Sequence, residues 1–330
     1  RGRVDLLHDG ARLAVAERDD DLRAGTDVVE DVSGLVRRGG WCRGHGLYGR
    51  AGMNVPEPSS PSSVSPIDPA LVPVKPAATV MLVRDALDGA PGVEVFMLRR
   101  TANAVFGAGM FVFPGGRVDG VDGAADIARF CRGLDDEAAS RQLGIDHGGL
   151  AYWVAAIREC FEEAGVLLAT PRDGGPLELR NEDRHEIHDS SLSLVELCRR
   201  DDLVLDLSTT YYVDHWITPI GEQRRFDTRF FVTELPVDQE PLHDEKETVE
   251  SLWIRPGEAL RMQAAGELMM MPPTMANLRF LEPHRDAAAA LDAAALVENP
   301  PCVLPKIRRD AAGRITGVAM PGDADYDDLV

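Results

Sequence analysis

Three glutamates, Glu159, Glu162 and Glu163, stand at positions i, i+3 and i+4 of one stretch. On a helix these carboxylates share one face, and three like charges so close together repel one another unless a cation lies among them. Carboxylate oxygens are hard donors that suit Mg²⁺, Mn²⁺ or Ca²⁺, and Arg158 beside them supplies only part of the positive charge. The pattern predicts a divalent-metal site. The alternative is a solvated acidic helix face, which is common in a chain with a net charge of −20.

The same residues resemble the signature of the Nudix hydrolase superfamily, Gly-x5-Glu-x7-Arg-Glu-(apolar)-x-Glu-Glu-x-Gly-(apolar). The matching positions are Gly116, Arg158, Glu159, Cys160, Glu162, Glu163, Gly165 and Val166. One position departs from the signature, because Asp122 stands where the first Glu is expected and 35 residues rather than seven separate it from Arg158. An insertion of 28 residues therefore lies inside the motif. It leaves the role of Asp122 open and the glutamate cluster intact.

The resemblance implies hydrolysis of a diphosphate that is linked to another moiety, with Mg²⁺ or Mn²⁺ as the cofactor. Under it, the three glutamates bind the metal and Arg158 orients them, although Arg158 could also form an ordinary surface ion pair. The turn at Gly115 and Gly116 would let the backbone approach the metal helix without a side-chain clash. A diphosphate needs such a site because divalent ions neutralise its charge and activate the attacking water.

The signature does not identify the general base, which related enzymes often supply from a later loop. An acidic run ahead of a predicted strand at 249–254 contains two candidates, Glu247 first and Glu245 second. Acidic residues in such a position are otherwise usually solvated and carry no specific role.

Clues to the substrate lie upstream of the glutamates. Arg100-Thr101, Gly109 and the turn Phe113-Pro114-Gly115-Gly116 partly match the pattern that precedes the motif in Nudix coenzyme A diphosphatases, with Val105 in place of a second Arg. With the long insertion, they make the chain similar to the peroxisomal-type acyl-coenzyme A diphosphatase subgroup and its bacterial relatives. That resemblance implies a small nucleotide-type substrate, cleaved to 3′,5′-ADP and 4′-phosphopantetheine or its acyl form.

Four arginines are the expected contacts for the phosphates of such a substrate, because a guanidinium binds phosphate oxygens in pairs. They are Arg99, Arg100, Arg224 and Arg225. Each could instead be a solvent-facing residue beside a strand.

Two alternative functions stay open. The first is a pyrophosphatase for ADP-ribose, a dinucleotide or a nucleoside triphosphate. The second, from a different class, is a ligand-sensing Nudix domain without catalysis. Such domains usually lose the Glu-Glu pair, which this chain keeps at Glu162 and Glu163.

The surrounding pattern predicts an α/β protein, with strands that lead into the glycine turn and then into the metal helix. As the resemblance implies, we expect a Nudix-type α/β/α sandwich around a mixed β-sheet, with a helical insertion and C-terminal helices. The predicted strands are 79–83, 93–98, 110–113, 215–218, 228–235 and 249–254, and a hairpin is predicted at 303–307 and 315–320. The predicted helices are 122–132, 135–143, 151–164, 191–199, 257–265, 273–281 and 285–297.

The domain organisation follows from composition. The first methionine is Met53, and we expect residues 1–52 to be an extension outside the native start or a poorly ordered arm, with a functional N-terminal module as the alternative. Residues 53–76 are rich in Pro and Ser, which predicts a linker. We expect the Nudix domain at 77–300, with its insertion at about 120–150, and a C-terminal hairpin and acidic tail at 301–330.

The composition also limits the classes of binding partner and the cellular compartment that we expect. A net charge of −20 argues against a nucleic-acid backbone as a partner. No apolar run approaches the roughly 18 residues of a membrane-spanning helix, so no membrane partner is expected. Five cysteines are scattered without a C-x-x-C pair, which favours a reducing compartment, and we expect a cytoplasmic protein. The oligomeric state is left open, with a homodimer as one option.

Overall fold

A computed structural model of the chain describes residues 71–104, 107–180, 182–244 and 246–329. The described strands and helices, in chain order, are β1 (Val74–Asp85), β2 (Val93–Arg100), β3 (Phe111–Val112), β4 (Gly115–Arg117), β5 (Cys131–Arg132), α1 (Asp136–Leu143), α2 (Leu150–Ala164), β6 (Ala169–Pro171), α3 (Asp183–His188), α4 (Leu194–Arg200), β7 (Leu203–Asp206), β8 (Tyr211–Ile217), β9 (Arg225–Glu234), β10 (Thr248–Ile254), α5 (Pro256–Ala264), α6 (Pro272–Leu281), α7 (Ala287–Ala295), β11 (Cys302–Val303), β12 (Lys306–Arg309) and β13 (Ile315–Ala319). The predictions for residues 1–52 and for most of the linker lie outside the described residues.

Eight of the described strands form one mixed sheet. Its order is β10-β2-β1-β9-β8-β11, with β3 paired to β2 and β4 paired to β1. β1 and β9 run parallel, whereas β1 and β2 run antiparallel. β1 begins at Val74, inside the segment expected to be a linker, because its first residues already pair with β9 from Arg225 onwards.

Side chains along β1 alternate between the two faces of this sheet, as the period of a strand requires. Val80 and Leu82 pack with α1, α2 and α4 on one face. Met81 and Val83 pack with the C-terminal helices α5, α6 and α7 on the other. All four side chains are fully buried. Helices thus cover both faces of a mixed sheet, and the predicted α/β/α sandwich with C-terminal helices is confirmed.

The first half of the insertion differs from its prediction. Residues 122–132 do not form a helix, because Ile127–Arg129 is a single 3₁₀ turn and Cys131–Arg132 is strand β5. β5 pairs with β7, and β7 pairs with β6, in a separate three-stranded sheet. Strands of two to four residues carry too little alternation to be recognised, and their pairing depends on partners distant in the sequence. The helix predicted in the second half is present as α1.

α1 supports the N-terminus of α2. The Asp136 carboxylate accepts hydrogen bonds from the N–H groups of Gly148 and Leu150, both at 3.0 Å, and Ser140 Oγ accepts one from Gly149 at 2.9 Å. The first N–H groups of a helix have no partner within the helix, and Gly149, the N-cap residue, has no side chain to accept from them. The insertion therefore caps the helix that carries the glutamates.

α2 is held at both ends. Near its start, the Trp153 ring packs on Phe231 with centroids 4.7 Å apart, and its Nε1 donates to the carbonyl of Thr210 at 2.9 Å. At its end, Gly165 adopts a left-handed conformation with φ of 71°, and its N–H donates to the carbonyl of Phe161. The helix thus has a defined start, a defined end and a fixed distance from the sheet.

The C-terminal segment forms the predicted hairpin from β12 and β13. Cys302 and Val303 precede it and pair with β8 in the main sheet, so the large sheet extends to residue 303. None of the described helices is long and apolar enough to cross a membrane.

Candidate functional site

Arg158 lies at the centre of the glutamate cluster and is 7% exposed. Its Nη1 donates to one carboxylate oxygen of Glu159 at 2.8 Å and to one of Glu162 at 3.0 Å. Its Nη2 donates to the carbonyl of Arg117 at 2.8 Å. Arg158 is therefore a buried group that orients two of the three glutamates, and not an ordinary surface ion pair.

Asp122 binds the other edge of the same guanidinium. Its two carboxylate oxygens accept from Nε of Arg158 at 2.8 Å and from Nη2 at 3.0 Å. Asp122 is 1% exposed, and with this contact all five N–H groups of Arg158 have an acceptor. The sequence left the role of Asp122 open. In the structure it neutralises and orients Arg158 across the whole insertion.

The glycine turn lies directly against the glutamates. The N–H of Gly115 donates to Oε2 of Glu163 at 2.9 Å. A Cβ atom on Gly116 would lie 2.5 Å from Oε1 of Glu159, and one on Gly115 would lie 2.6 Å from the carbonyl of Ala78. Real Cβ atoms do not approach so closely. At Gly115 the neighbour is backbone, so this position needs glycine, whereas a side chain at Gly116 would displace the carboxylate of Glu159.

The electrostatics of the cluster are unbalanced. Burial raises the pKa of Glu159 and Glu162, and Arg158 offsets only part of this effect. Burial also raises the pKa of Glu163, and the charge of Glu159 adds to the rise. Burial alone would lower the pKa of Arg158, but the hydrogen bonds with Asp122 and the charges of the carboxylates raise it, so the arginine stays charged. The cluster carries more negative charge than one arginine balances, and a further cation would stabilise it.

The side chains are not arranged as a finished metal site. Among the described residues, no group of three or more His, Cys, Asp or Glu side chains is placed to hold an ion. Glu159 and Glu162 each turn one oxygen to Arg158, and Glu163 turns one to Gly115. The donor set fits Mg²⁺ or Mn²⁺ in its chemistry, because the second oxygen of each glutamate has no hydrogen bond to any described residue. Ion binding requires these free oxygens to turn towards one point.

Arg100 and Glu247 lie within electrostatic reach of the same cluster. Burial and the charge of Glu159 raise the pKa of Glu163 most. The N–H of Gly115 and then Arg100 lower this pKa, and Glu247 raises it. Nη2 of Arg100 lies 3.8 Å from Oε2 of Glu247, whose side chain is 53% exposed. The buried Nε of Arg100 has no hydrogen-bond partner among the described residues. The second predicted base, Glu245, lies outside the described residues.

The other predicted arginines lie elsewhere. Arg99 pairs with Glu250 at 3.1 Å on an exposed surface. Arg225 is buried, and its Nε donates to the carbonyl of Thr218 at 3.0 Å. In the sheet Arg225 is opposite Val74, four residues and roughly 13 Å along β1 from the partner of Gly116. Arg224 is exposed in the turn before β9. Of the four, the structure places only Arg100 next to the glutamates.

A second set of basic side chains beside the cluster does not figure in the sequence predictions. A small pocket next to Glu162 is lined by Glu162, Arg184, His185, His188, Asp244 and Lys246. The spacing of His185 and His188, at i and i+3, is the signal that sequence analysis could have used, since such residues share a helix face. A larger cavity of about 470 Å³ lies between α1, β8 and the end of α7, and none of the predicted site residues lines it.

Comparisons with known proteins bear on this site. The family model of the NUDT19 Nudix domain matches residues 136–281, which include α2 and the glutamates. The acyl-coenzyme A diphosphatase NUDT19 of Xenopus laevis is 28% identical over a match that covers 57% of this chain and 59% of that protein. The protein of the same name from Gallus gallus is 29% identical, with 64% and 69% covered. The match thus spans about three fifths of the Xenopus relative's length.

The fold has a solved counterpart. The crystal structure of a NUDIX hydrolase from Alicyclobacillus acidocaldarius superposes on this chain with a TM-score of 0.58 at 27% identity. The superposition covers 70% of this chain and 100% of that one. The resemblance stated from the signature residues is therefore confirmed at the level of the fold and the superfamily.

Proposed function

We propose that this chain, a member of the Nudix hydrolase superfamily, cleaves the diphosphate bond of coenzyme A or acyl-coenzyme A. The products would be 3′,5′-ADP and 4′-phosphopantetheine or its acyl form. The observation that carries the reaction type is the buried cluster of three glutamates around Arg158, under the Gly115–Gly116 turn. The substrate is supported by the relatives, which are named acyl-coenzyme A diphosphatases.

Glu159, Glu162 and Glu163 would hold Mg²⁺ or Mn²⁺. Bound there, such an ion would neutralise the charge of the diphosphate and lower the pKa of the attacking water. Arg158 keeps Glu159 and Glu162 in place through Nη1, and Asp122 keeps Arg158 in place. The N–H of Gly115 fixes Glu163. The chain thus holds one oxygen of each glutamate and leaves the other without a hydrogen bond to a described residue.

Glu247 is the proposed general base. Its side chain is half exposed and lies beside Arg100. Its charge raises the pKa of Glu163, so Glu247 lies close to the glutamates. In the reaction the water oxygen forms a bond to one phosphorus, and the bridging P–O bond breaks towards the other phosphate. Glu247 takes the proton of the water. The Arg100 side chain is 23% exposed, and the outer nitrogens of its guanidinium would contact an anionic phosphate oxygen.

The test is a product screen with Mg²⁺ and with Mn²⁺. The compounds are coenzyme A, an acyl-coenzyme A, dephospho-coenzyme A, ADP-ribose, NADH and nucleoside triphosphates, with products identified by mass. The Glu163→Gln variant reports on the site, and Glu137→Gln is the matched control because Glu137 lies on the exposed face of α1. Preferential formation of 3′,5′-ADP, lost in Glu163→Gln and kept in the control, supports the proposal.

Two outcomes would change the assigned function. Preferential cleavage of ADP-ribose, NADH or a triphosphate would keep the reaction and discard coenzyme A as the substrate. Absence of turnover with every compound, in a folded protein, would favour the ligand-sensing domain.

A further inference from the structure

A pocket of mainly basic side chains opens beside Glu162, outside the residues used above. Four of the six lining residues are basic, namely Arg184, His185, His188 and Lys246. Such a concentration is unusual in a chain whose net charge is −20. Because Glu162 is one of its lining residues, the pocket adjoins the glutamate cluster.

Asp244 is occupied by other contacts, and Glu162 is partly so. Oδ1 of Asp244 accepts from the N–H and the hydroxyl of Thr248, and both of its oxygens accept from the N–H of Glu247. Glu162 turns one oxygen to Arg158. Asp244 therefore serves mainly its own loop, and the pocket keeps an excess of donors.

Arg184 lines the pocket and is fixed by backbone carbonyls rather than by an acid. Its Nε donates to the carbonyl of Glu162 at 3.0 Å and its Nη2 to that of Leu242 at 2.9 Å. No carboxylate lies within ion-pair distance of it among the described residues. Gly165 leaves space for the Arg184 guanidinium, because a Cβ at this position would lie 3.1 Å from Nη1 of Arg184. Nη1 of Arg184 has no hydrogen bond to a described residue, so this nitrogen is available to an anion.

The remaining donors have weak partners or none among the described residues. His185 and His188 share one face of α3, and neither ring has a hydrogen bond to a described residue. Nζ of Lys246 contacts Asp189 at 2.9 Å, but the two side chains are 43% and 61% exposed. Exposed ion pairs of this kind contribute little and exchange easily. The histidines and the lysine can therefore turn to a ligand at low cost.

We infer that this pocket binds a phosphomonoester of the substrate, separately from the diphosphate that is cleaved. The inference rests on the proposed function and adds a subsite to it. Coenzyme A carries a phosphate on its ribose in addition to the diphosphate, and a dianion of this type needs charged donors such as Arg, Lys and His. The diphosphate is assigned to the glutamate cluster, and the adjacent basic pocket takes the second anionic group. The pocket thus distinguishes coenzyme A from dephospho-coenzyme A.

The experiment compares kcat/KM for these two substrates at one pH near 7. The variants are the double variant His185→Asn with His188→Asn, and Lys246→Gln. The control is His147→Asn, because His147 is an exposed histidine between α1 and α2. Arg184 is left in place, since its contacts with two carbonyls give it a structural role.

We expect kcat/KM for coenzyme A to fall by about ten-fold in each variant, mainly through KM, as is typical of one lost charge-assisted contact. Activity on dephospho-coenzyme A should change by less than about two-fold. An equal loss on both substrates, or no loss on coenzyme A, would overturn the inference. If the unaltered protein cleaves neither substrate, the proposed function fails.

If neither substrate is cleaved, binding measurements test the phosphate subsite independently of the proposed function. Titration calorimetry with 3′,5′-ADP and with 5′-AMP should show tighter binding of 3′,5′-ADP, and the preference should disappear in the double variant. Equal binding of the two nucleotides by the unaltered protein would refute the pocket's role.

Discussion

Replacing Asp122 with Ala leaves the buried guanidinium of Arg158 without its bidentate partner. The side chains of Asp122 and Arg158 are 1% and 8% exposed, and they share hydrogen bonds of 2.8 and 3.0 Å. Removal of one partner from a buried pair costs about 3 to 5 kcal/mol, because the remaining charge keeps its desolvation penalty. Glu159 and Glu162 still contact Arg158 in the variant. We therefore expect a loss at the lower end, about 3 kcal/mol in the free energy of unfolding.

The measurement is urea denaturation followed by Trp fluorescence, together with the thermal midpoint. A loss of about 3 kcal/mol corresponds to a midpoint roughly 6 to 12 °C lower for a domain of this size. The matched control is Arg141→Ala, which breaks the exposed pair with Glu137, where the side chains are 65% and 85% exposed. That change should cost at most about 0.5 kcal/mol. A loss for Asp122→Ala no larger than that of the control would refute the assignment of Asp122 as the buried partner of Arg158.

Three further outcomes are expected. Glu162→Gln should leave the protein folded by circular dichroism but lower metal-dependent turnover by about two orders of magnitude or more, and unchanged turnover would remove Glu162 from the site. Gly116→Ala places a Cβ 2.5 Å from Oε1 of Glu159, so steady-state activity should fall, whereas Gly120→Ala, with open space around it, should match the unaltered protein. Burial by itself would raise the pKa of Asp183, but hydrogen bonds from two arginines lower it to about 2, below its ordinary value of 3.8. The charged form therefore stabilises the fold above about pH 4 and this contribution is lost as the pH falls towards 2, so the stability of Asp183→Asn, measured by urea denaturation, should change less steeply over that range.

The sequence was sufficient for the features that depend on local spacing. The glutamates at i, i+3 and i+4 share a helix face because of the period of the helix, and the helix ends at Gly165 because that residue adopts a left-handed conformation. The short apolar runs of β1 and β2 likewise predict strands from their local sequence. The sandwich followed from the resemblance that these residues carry.

Features built from contacts between distant residues were not available from the sequence. Residues 122–132 were predicted to be a helix, but pairing of β5 with β7 gives them another structure. The capping of α2 by Asp136, across the turn between α1 and α2, depends on how the insertion folds back. Propensity and periodicity describe neighbours along the chain, and these contacts are made between segments that only the folded state brings together.

The candidate site likewise has features that the sequence determines and features that depend on the tertiary structure. The sequence by itself determined the type and spacing of Glu159, Glu162 and Glu163, the residues proposed to carry the chemistry, because their side chains share one helix face. The tertiary structure decided what surrounds them. It placed Asp122, which precedes the insertion, against Arg158. It also placed His185 and His188 of α3 in the pocket beside Glu162. Charge and burial at a site are sums over all the elements that pack around it, so they are properties of the folded chain.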